Sequence, residues 1–190
     1  MTAAAVHPIV LATDSGDLRV AAGRVLMLAG AAFGLANLFQ YGVQSGGLGL
    51  HPAVLGLSWP VALAVFFIGL GRLRRTSGNA GRRVARWSRL AIGATMLTAI
   101  GLMAASAATG NAALMLWTTP AGLCVYGVGW ATAFVRGGHR WMLAPCIGAL
   151  GAAGATIPVL GSPMQYLAYA VGLLAFVLAP GAWMALARNP

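Results

Sequence analysis

An all-α fold, a polytopic transmembrane helical bundle, is the class this sequence predicts, and three observations predict it. Of the 190 residues, 59% are hydrophobic and only 7% charged, and the mean hydropathy is +0.82. A soluble domain carries about 25% charged residues, so this composition suits a lipid solvent. The apolar residues gather into six runs, each near the roughly 20 helical residues that cross a hydrocarbon core of about 30 Å. All twelve basic residues are arginine, and they lie in short segments between alternate runs.

Residues 1–19 read as an N-terminal cytoplasmic arm. It holds Asp14 and Asp17, the two acids of the chain, and an apolar stretch from His7 to Ala12 that is too brief to span. It lacks the positive n-region and the A-x-A site of a signal peptide. Residues 20–190 form the six-helix transmembrane domain, with spans at 25–43, 52–70, 90–108, 112–135, 142–160 and 166–186. Gln44-Ser45-Gly46-Gly47, Thr109-Gly110-Asn111 and Gly161-Ser162-Pro163 carry turn chemistry and end the first, third and fifth spans. Pro52 marks a helix start.

The arginines set the orientation. Arg19 and Arg24 precede the first span, and Arg72, Arg74, Arg75, Arg82, Arg83, Arg86 and Arg89 follow the second. Arg136 and Arg140 follow the fourth, and Arg188 follows the sixth. The remaining loops hold none, so the positive-inside rule places both termini and both arginine loops in the cytoplasm. The result is three helical hairpins in a bacterial inner membrane. Trp87 and Trp141, beside arginines, fit an interfacial belt, and Trp59 lies deeper as a packing residue.

Packing between helices in lipid depends on small residues. Gly30 and Gly34 form such a pair on the first helix. Gly148, Gly151 and Gly154 recur on the fifth, which is therefore expected at the buried centre, with Gly151→Leu disruptive. Pro60, Pro120 and Pro180 lie inside spans and free the carbonyls of Gly56, Leu116 and Phe176.

The strongest polar pattern is on the first helix. Asn37, Gln40, Tyr41 and Gln44 follow i, i+3, i+4 and i+7 spacing and share one face. Tyr166 and Tyr169, with His51, Asn111, Thr118, Thr119, Thr156 and Gln165, fall at a similar height. Two readings stand. These side chains are interhelical hydrogen-bond glue, or they line an outward pocket for a neutral or aromatic small molecule. The arginine segment between the second and third spans continues as a helix, with Arg82, Arg86 and Arg89 on one face. Such a face attracts anionic lipid headgroups or docks an acidic partner protein.

Other chemistries lack their residues. No carboxylate occurs from Leu18 onward, which disfavours acid–base pairs, carboxylate metal sites and intramembrane proton relays. Cys124 and Cys146 have neither CxxC spacing nor a histidine cluster, so no metal is expected. His51 and His139 read as solvated loop residues, and no HExxH, GxSxG or phosphate-loop motif occurs. No catalytic residue, cofactor or nucleic-acid partner is expected, because arginine between apolar runs sets topology.

Gly34 with Tyr41-Gly-Val-Gln-Ser-Gly, the arginine loop with Asn79, Tyr126-Gly with Trp130, and Gln165-Tyr-Leu through Pro180-Gly carry a resemblance. The chain resembles a group of small bacterial inner-membrane proteins with six helices and no assigned activity. The arm departs most from that group, being poor in charge. The resemblance implies a class and no catalytic residues. The function expected is a non-enzymatic accessory or sensory subunit, with a protein partner or a homo-oligomer. The alternative is a small carrier or channel for a neutral or aromatic small molecule.

Overall fold

The computed structural model describes residues 6–76, 78–137 and 140–186, with side chains described from Leu18 onward except at 80, 81, 83, 137 and 141. The side chains of Asp14, Asp17, Arg83 and Trp141, and all of His139 and Arg188, therefore lie outside the described residues. Within them the chain is helical without strands.

Helix α1 covers Val6–Gln44, α2 Leu55–Thr76, α3 Gly78–Thr109, α4 Thr118–Gly137 and α5 Leu143–Thr156. Helix α6, Met164–Leu173, runs through a π-helical turn, Leu174–Leu178, into α7, Ala179–Leu186. Five of these stretches are long and apolar enough to cross a membrane, with α6 through α7 counting as one. The exception is the expected fifth span. Only 14 of its residues are α-helical, about 21 Å at 1.5 Å per residue, and the Ile157–Val159 3-10 turn extends it. Pro158 in that turn lacks the N–H an α-helix would require.

One other boundary differs from expectation. Helix α1 already begins at Val6, inside the segment read as an arm. Helix α3 begins at Gly78, so the arginine segment and the third span form one 32-residue helix, as expected. Apart from Ser77, α2 and α3 adjoin. Pro52 opens the short turn that leads into α2, as expected. Gly110 and Gly161 take φ values of 66° and 80°, a left-handed conformation that stops a helix with little strain only at glycine.

Helix α1 is the hub, not α5. Its two faces meet α2 on one side and α6 through α7 on the other. A Cβ on Gly23 would lie 2.7 Å from the Gly181 carbonyl oxygen, and one on Gly30 2.7 Å from the Leu178 amide nitrogen. Gly34 faces Leu174 at 3.2 Å. Gly30 thus brings backbones together as expected, whereas Gly34 makes room for the Leu174 side chain. Toward α2, Phe33 stacks on Phe66 at 5.5 Å and on Trp59 at 5.8 Å. Val25, Phe66, Leu70 and Ala85 form one buried cluster, and Leu123, Ala153, Tyr169, Leu173 and Val177 form another.

On α5 only Gly148 is closely covered, by the ring of Phe176. Gly151 and Gly154 are exposed with nothing within 4 Å of a Cβ. The expectation that this helix sits at the centre, and that Gly151→Leu disrupts packing, is corrected. Gly151 and Gly154 line an outer surface, while Ala149 and Ala153 form the buried face of the helix.

Contacts fix the helix directions. Gly23 meets Met184 while Gly34 meets Leu174, so α1 runs against α6–α7. Phe33 meets Phe66 while Gln40 meets Ser58, so α1 runs against α2. On α4 and α6, Thr119 meets Gln165 and Tyr126 meets Phe176, so these two run parallel.

Candidate functional site: the polar interior and the arginine end

The α1 polar face divides among several neighbours. Asn37 is buried, and its Nδ2 donates to the Phe33 carbonyl of its own helix at 2.8 Å. Gln40 is also buried, and its Nε2 donates to Ser58 Oγ at 2.6 Å. The Ser58 hydroxyl donates in turn to the Leu55 carbonyl at 2.8 Å. With the Ser58 proton on the Leu55 carbonyl, the contact needs the Gln40 Nε2 donor, since a flipped amide would set Oε1 against an oxygen with no proton to give. That orientation leaves Gln40 Oε1 buried without a hydrogen-bond partner among the described residues. Gln44 reaches the Tyr166 hydroxyl at 3.4 Å along the exposed rim. Tyr41 is half-buried.

Tyr169 belongs to a different interface. It is buried between α6 and α4, and a Cβ on Gly122 would lie 2.8 Å from its hydroxyl. Of the six residues read as a pocket, only Gln44 and Tyr166 are paired with each other by a hydrogen bond. His51 Nδ1 and Asn111 Oδ1 accept the amides of Ala53 and Ala113 and cap exposed turns. Thr118 and Thr156 donate to carbonyls three residues back.

Two donors act where the prolines create acceptors. Gln165 Nε2 donates to the Leu116 carbonyl at 2.9 Å and to Thr119 Oγ1 at 2.8 Å. Its Oε1 accepts the Gly161 amide at 2.9 Å. Leu116 lies in the 3-10 turn Ala112–Trp117 just before α4, and Pro120, in the first turn of α4, has no N–H to offer its carbonyl. Tyr126 donates to the Phe176 carbonyl at 2.9 Å, the one that Pro180 frees. The spacing of prolines names these acceptors, but the donors Gln165 and Tyr126, like Ser58 beneath Gln40, follow only from the fold.

A groove of about 570 Å³ lies elsewhere, between α5 and α6, lined by Gly148, Gly151, Ala152, Leu167, Val171 and Phe176 among others. None of the six residues read as a pocket borders it, and its walls are apolar.

The described arginines gather at one end of the bundle, as the helix directions require. There Arg19 lies over the Trp183 ring at 4.7 Å and Arg136 over the Trp87 ring at 5.4 Å. Both are cation–π contacts that hold guanidinium groups against neighbouring helices. Arg72, Arg74, Arg75, Arg82, Arg86 and Arg89 are exposed. Trp87 therefore faces the end of α4 rather than the core, whereas Val84 packs on the inner cluster.

The chain matches no family model, no curated protein and no solved structure.

Proposed function

We propose that the chain is a multi-pass protein of a bacterial inner membrane that works as a non-enzymatic accessory or sensory subunit. In this reading six spans form three hairpins, α5 with its 3-10 extension being the fifth and the shortest. Both termini and the arginine end face the cytoplasm. The observation that carries the reading is the division of labour among polar groups. Most described interior hydrogen-bonding side chains tie helices or cap carbonyls, and the charge is gathered at one end. Such a body presents a cationic surface to anionic lipids or an acidic partner. The resemblance to six-helix inner-membrane proteins points the same way.

Affinity purification from native membranes in mild detergent, with mass spectrometry, tests this. A stoichiometric protein partner supports a subunit. A protein recovered alone or as a homo-oligomer counts against it. The second reading, a carrier for a neutral or aromatic small molecule, draws on Gln40 Oε1, a buried acceptor open to a donor. Ligand-dependent flux in vesicles, lost on Gln40→Ala or Tyr41→Ala, favours that reading.

A further inference from the structure

Helix α3 stands apart from the other long helices. In its most apolar 18-residue stretch none of its residues is buried, whereas the other four crossing helices each bury at least a fifth of theirs. At 32 residues it is about 48 Å long, well beyond the roughly 30 Å of a hydrocarbon core. Its inward stripe includes Val84 and Ile92, which pack with buried Ala85 on α1 and α2. The opposite stripe is continuous and has two halves. Arg82, Arg86 and Arg89 follow i, i+4 and i+7 spacing and are exposed. Gly93, Leu97, Ile100 and Ala104 extend the same line by further turns. Leu97 is 71% exposed and Ile100 55%, and nothing lies within 4 Å of a Cβ at Gly93. Gly93 therefore leaves this line bare of side chain directly below the arginines.

Among the described side chains nothing compensates the charge on this face. No side chain from Leu18 to Pro190 is a carboxylate, so a side-chain counter-charge for Arg82, Arg86 and Arg89 comes from outside that stretch. Guanidinium groups bind phosphate through paired N–H donors. A surface cationic for two turns and apolar for the next three is complementary to one kind of molecule, with an anionic phosphate at one end and hydrocarbon at the other. An acidic protein segment would satisfy the arginines and leave Gly93 to Ile100 without a purpose.

We propose that the outward face of α3 is a binding site for one anionic phospholipid. Its phosphate is held by Arg82, Arg86 and Arg89, and an acyl chain lies along Gly93, Leu97 and Ile100. This rests on the reading that the chain spans a membrane. It goes further in assigning a defined site on one helix rather than a diffuse attraction of the arginine end.

The test uses the full chain, purified in mild detergent and examined by native mass spectrometry with phosphatidylglycerol or phosphatidylcholine of matched chains. The expected result is a retained one-to-one phosphatidylglycerol adduct and little phosphatidylcholine. Arg86→Gln with Arg89→Gln weakens retention about 25-fold, at about fivefold per arginine. Arg74→Gln with Arg75→Gln, an equal loss of charge on α2, changes it far less. Gly93→Leu adds a side chain on the acyl-chain path with charge unaltered and also reduces retention. Gly71→Leu, at a glycine equally open, is the control for folding and leaves it intact.

Equal effects of the two arginine pairs, with none from Gly93→Leu, overturn the site in favour of a diffuse field. Absence of an adduct, or equal retention of both lipids, overturns it as well. Loss of a co-purifying protein in the Arg86/Arg89 variant, with lipid retention unchanged, overturns it in favour of a protein partner. Alkaline extraction of membranes separates the two levels. Release of the chain defeats the membrane reading itself, whereas a chain that stays embedded without retaining the lipid defeats this inference alone.

Discussion

The phenolic hydroxyl of Tyr126 donates to the main-chain carbonyl of Phe176 across 2.9 Å, and Pro180, four residues on, has no N–H to give that carbonyl. The Leu116 carbonyl, in the 3-10 turn before α4, takes its hydrogen bond from Gln165 at 2.9 Å. Each of two parallel helical segments therefore donates to a main-chain carbonyl that has no α-helical N–H four residues on, because a proline stands there. Unsatisfied backbone groups are costly in lipid, so the repairs also fix the mutual register of α4 and α6.

Tyr126→Phe removes one repair and little volume. The expected loss is about 1 kcal/mol, the scale of a single interhelical bond, read as a thermal midpoint about 2–4 °C lower in detergent. Combined with Pro180→Ala, which restores an N–H near the open carbonyl, the tyrosine change should matter less. A double-mutant cycle with no coupling between the sites would count against the repair.

Gln165→Leu should be the more damaging substitution. It removes two donated bonds and one accepted bond in a buried setting and leaves the Leu116 carbonyl and the Gly161 amide without this partner. A loss of about 2–3 kcal/mol is expected, and the folded yield on size-exclusion chromatography reports it.

Gln40→Met should be nearly neutral or stabilising by up to about 1 kcal/mol. The Ser58 hydroxyl keeps its bond to the Leu55 carbonyl, and the change removes an acceptor buried without a partner, which costs about 1–3 kcal/mol if unfilled. A clear fall in thermal midpoint would show that Oε1 is occupied in the membrane.

Gly30→Leu and Gly151→Leu should separate cleanly. The first forces a side chain into the backbone of Leu178 at 2.7 Å, whereas the second extends into open space. Little folded Gly30→Leu protein and near-normal Gly151→Leu protein are expected in a fluorescence-detected chromatography screen.

A reporter fused after Pro190 should be active in the cytoplasm, and one inserted at Gly47 should be active only outside it. Activity of the first outside the cytoplasm would reverse the proposed orientation.

Helical class and the arginine end were legible in the sequence because both are one-dimensional patterns. An apolar run shows its length directly, and arginines alternate between segments whatever the packing. Burial of small residues was not legible in the same way. Gly148 and Gly151 read alike, yet Phe176 covers the first and leaves the second open. Phe176 itself lies in the π-helical turn at Leu174–Leu178, a local departure from α-helical geometry that residue spacing does not announce. The role of α1 as hub was hidden for a similar reason, since Gly23 finds its counterpart Gly181 on the last helix. Of the polar face, the spacing identified a shared line but not its neighbours. Asn37 turns to its own backbone, Gln40 to α2 and Gln44 to α6.

The pairing of α1 with α7 has a consequence for biogenesis. Gly23 and Gly30 leave the ribosome early, but Gly181 and Leu178, which cover them, follow on the order of ten seconds later at ordinary rates of synthesis. Throughout that interval the first helix is inserted with its closest-packing surface vacant. A translocon or chaperone that shields it would raise the yield, and chains cut short before α7 should be favoured substrates of membrane quality-control proteases.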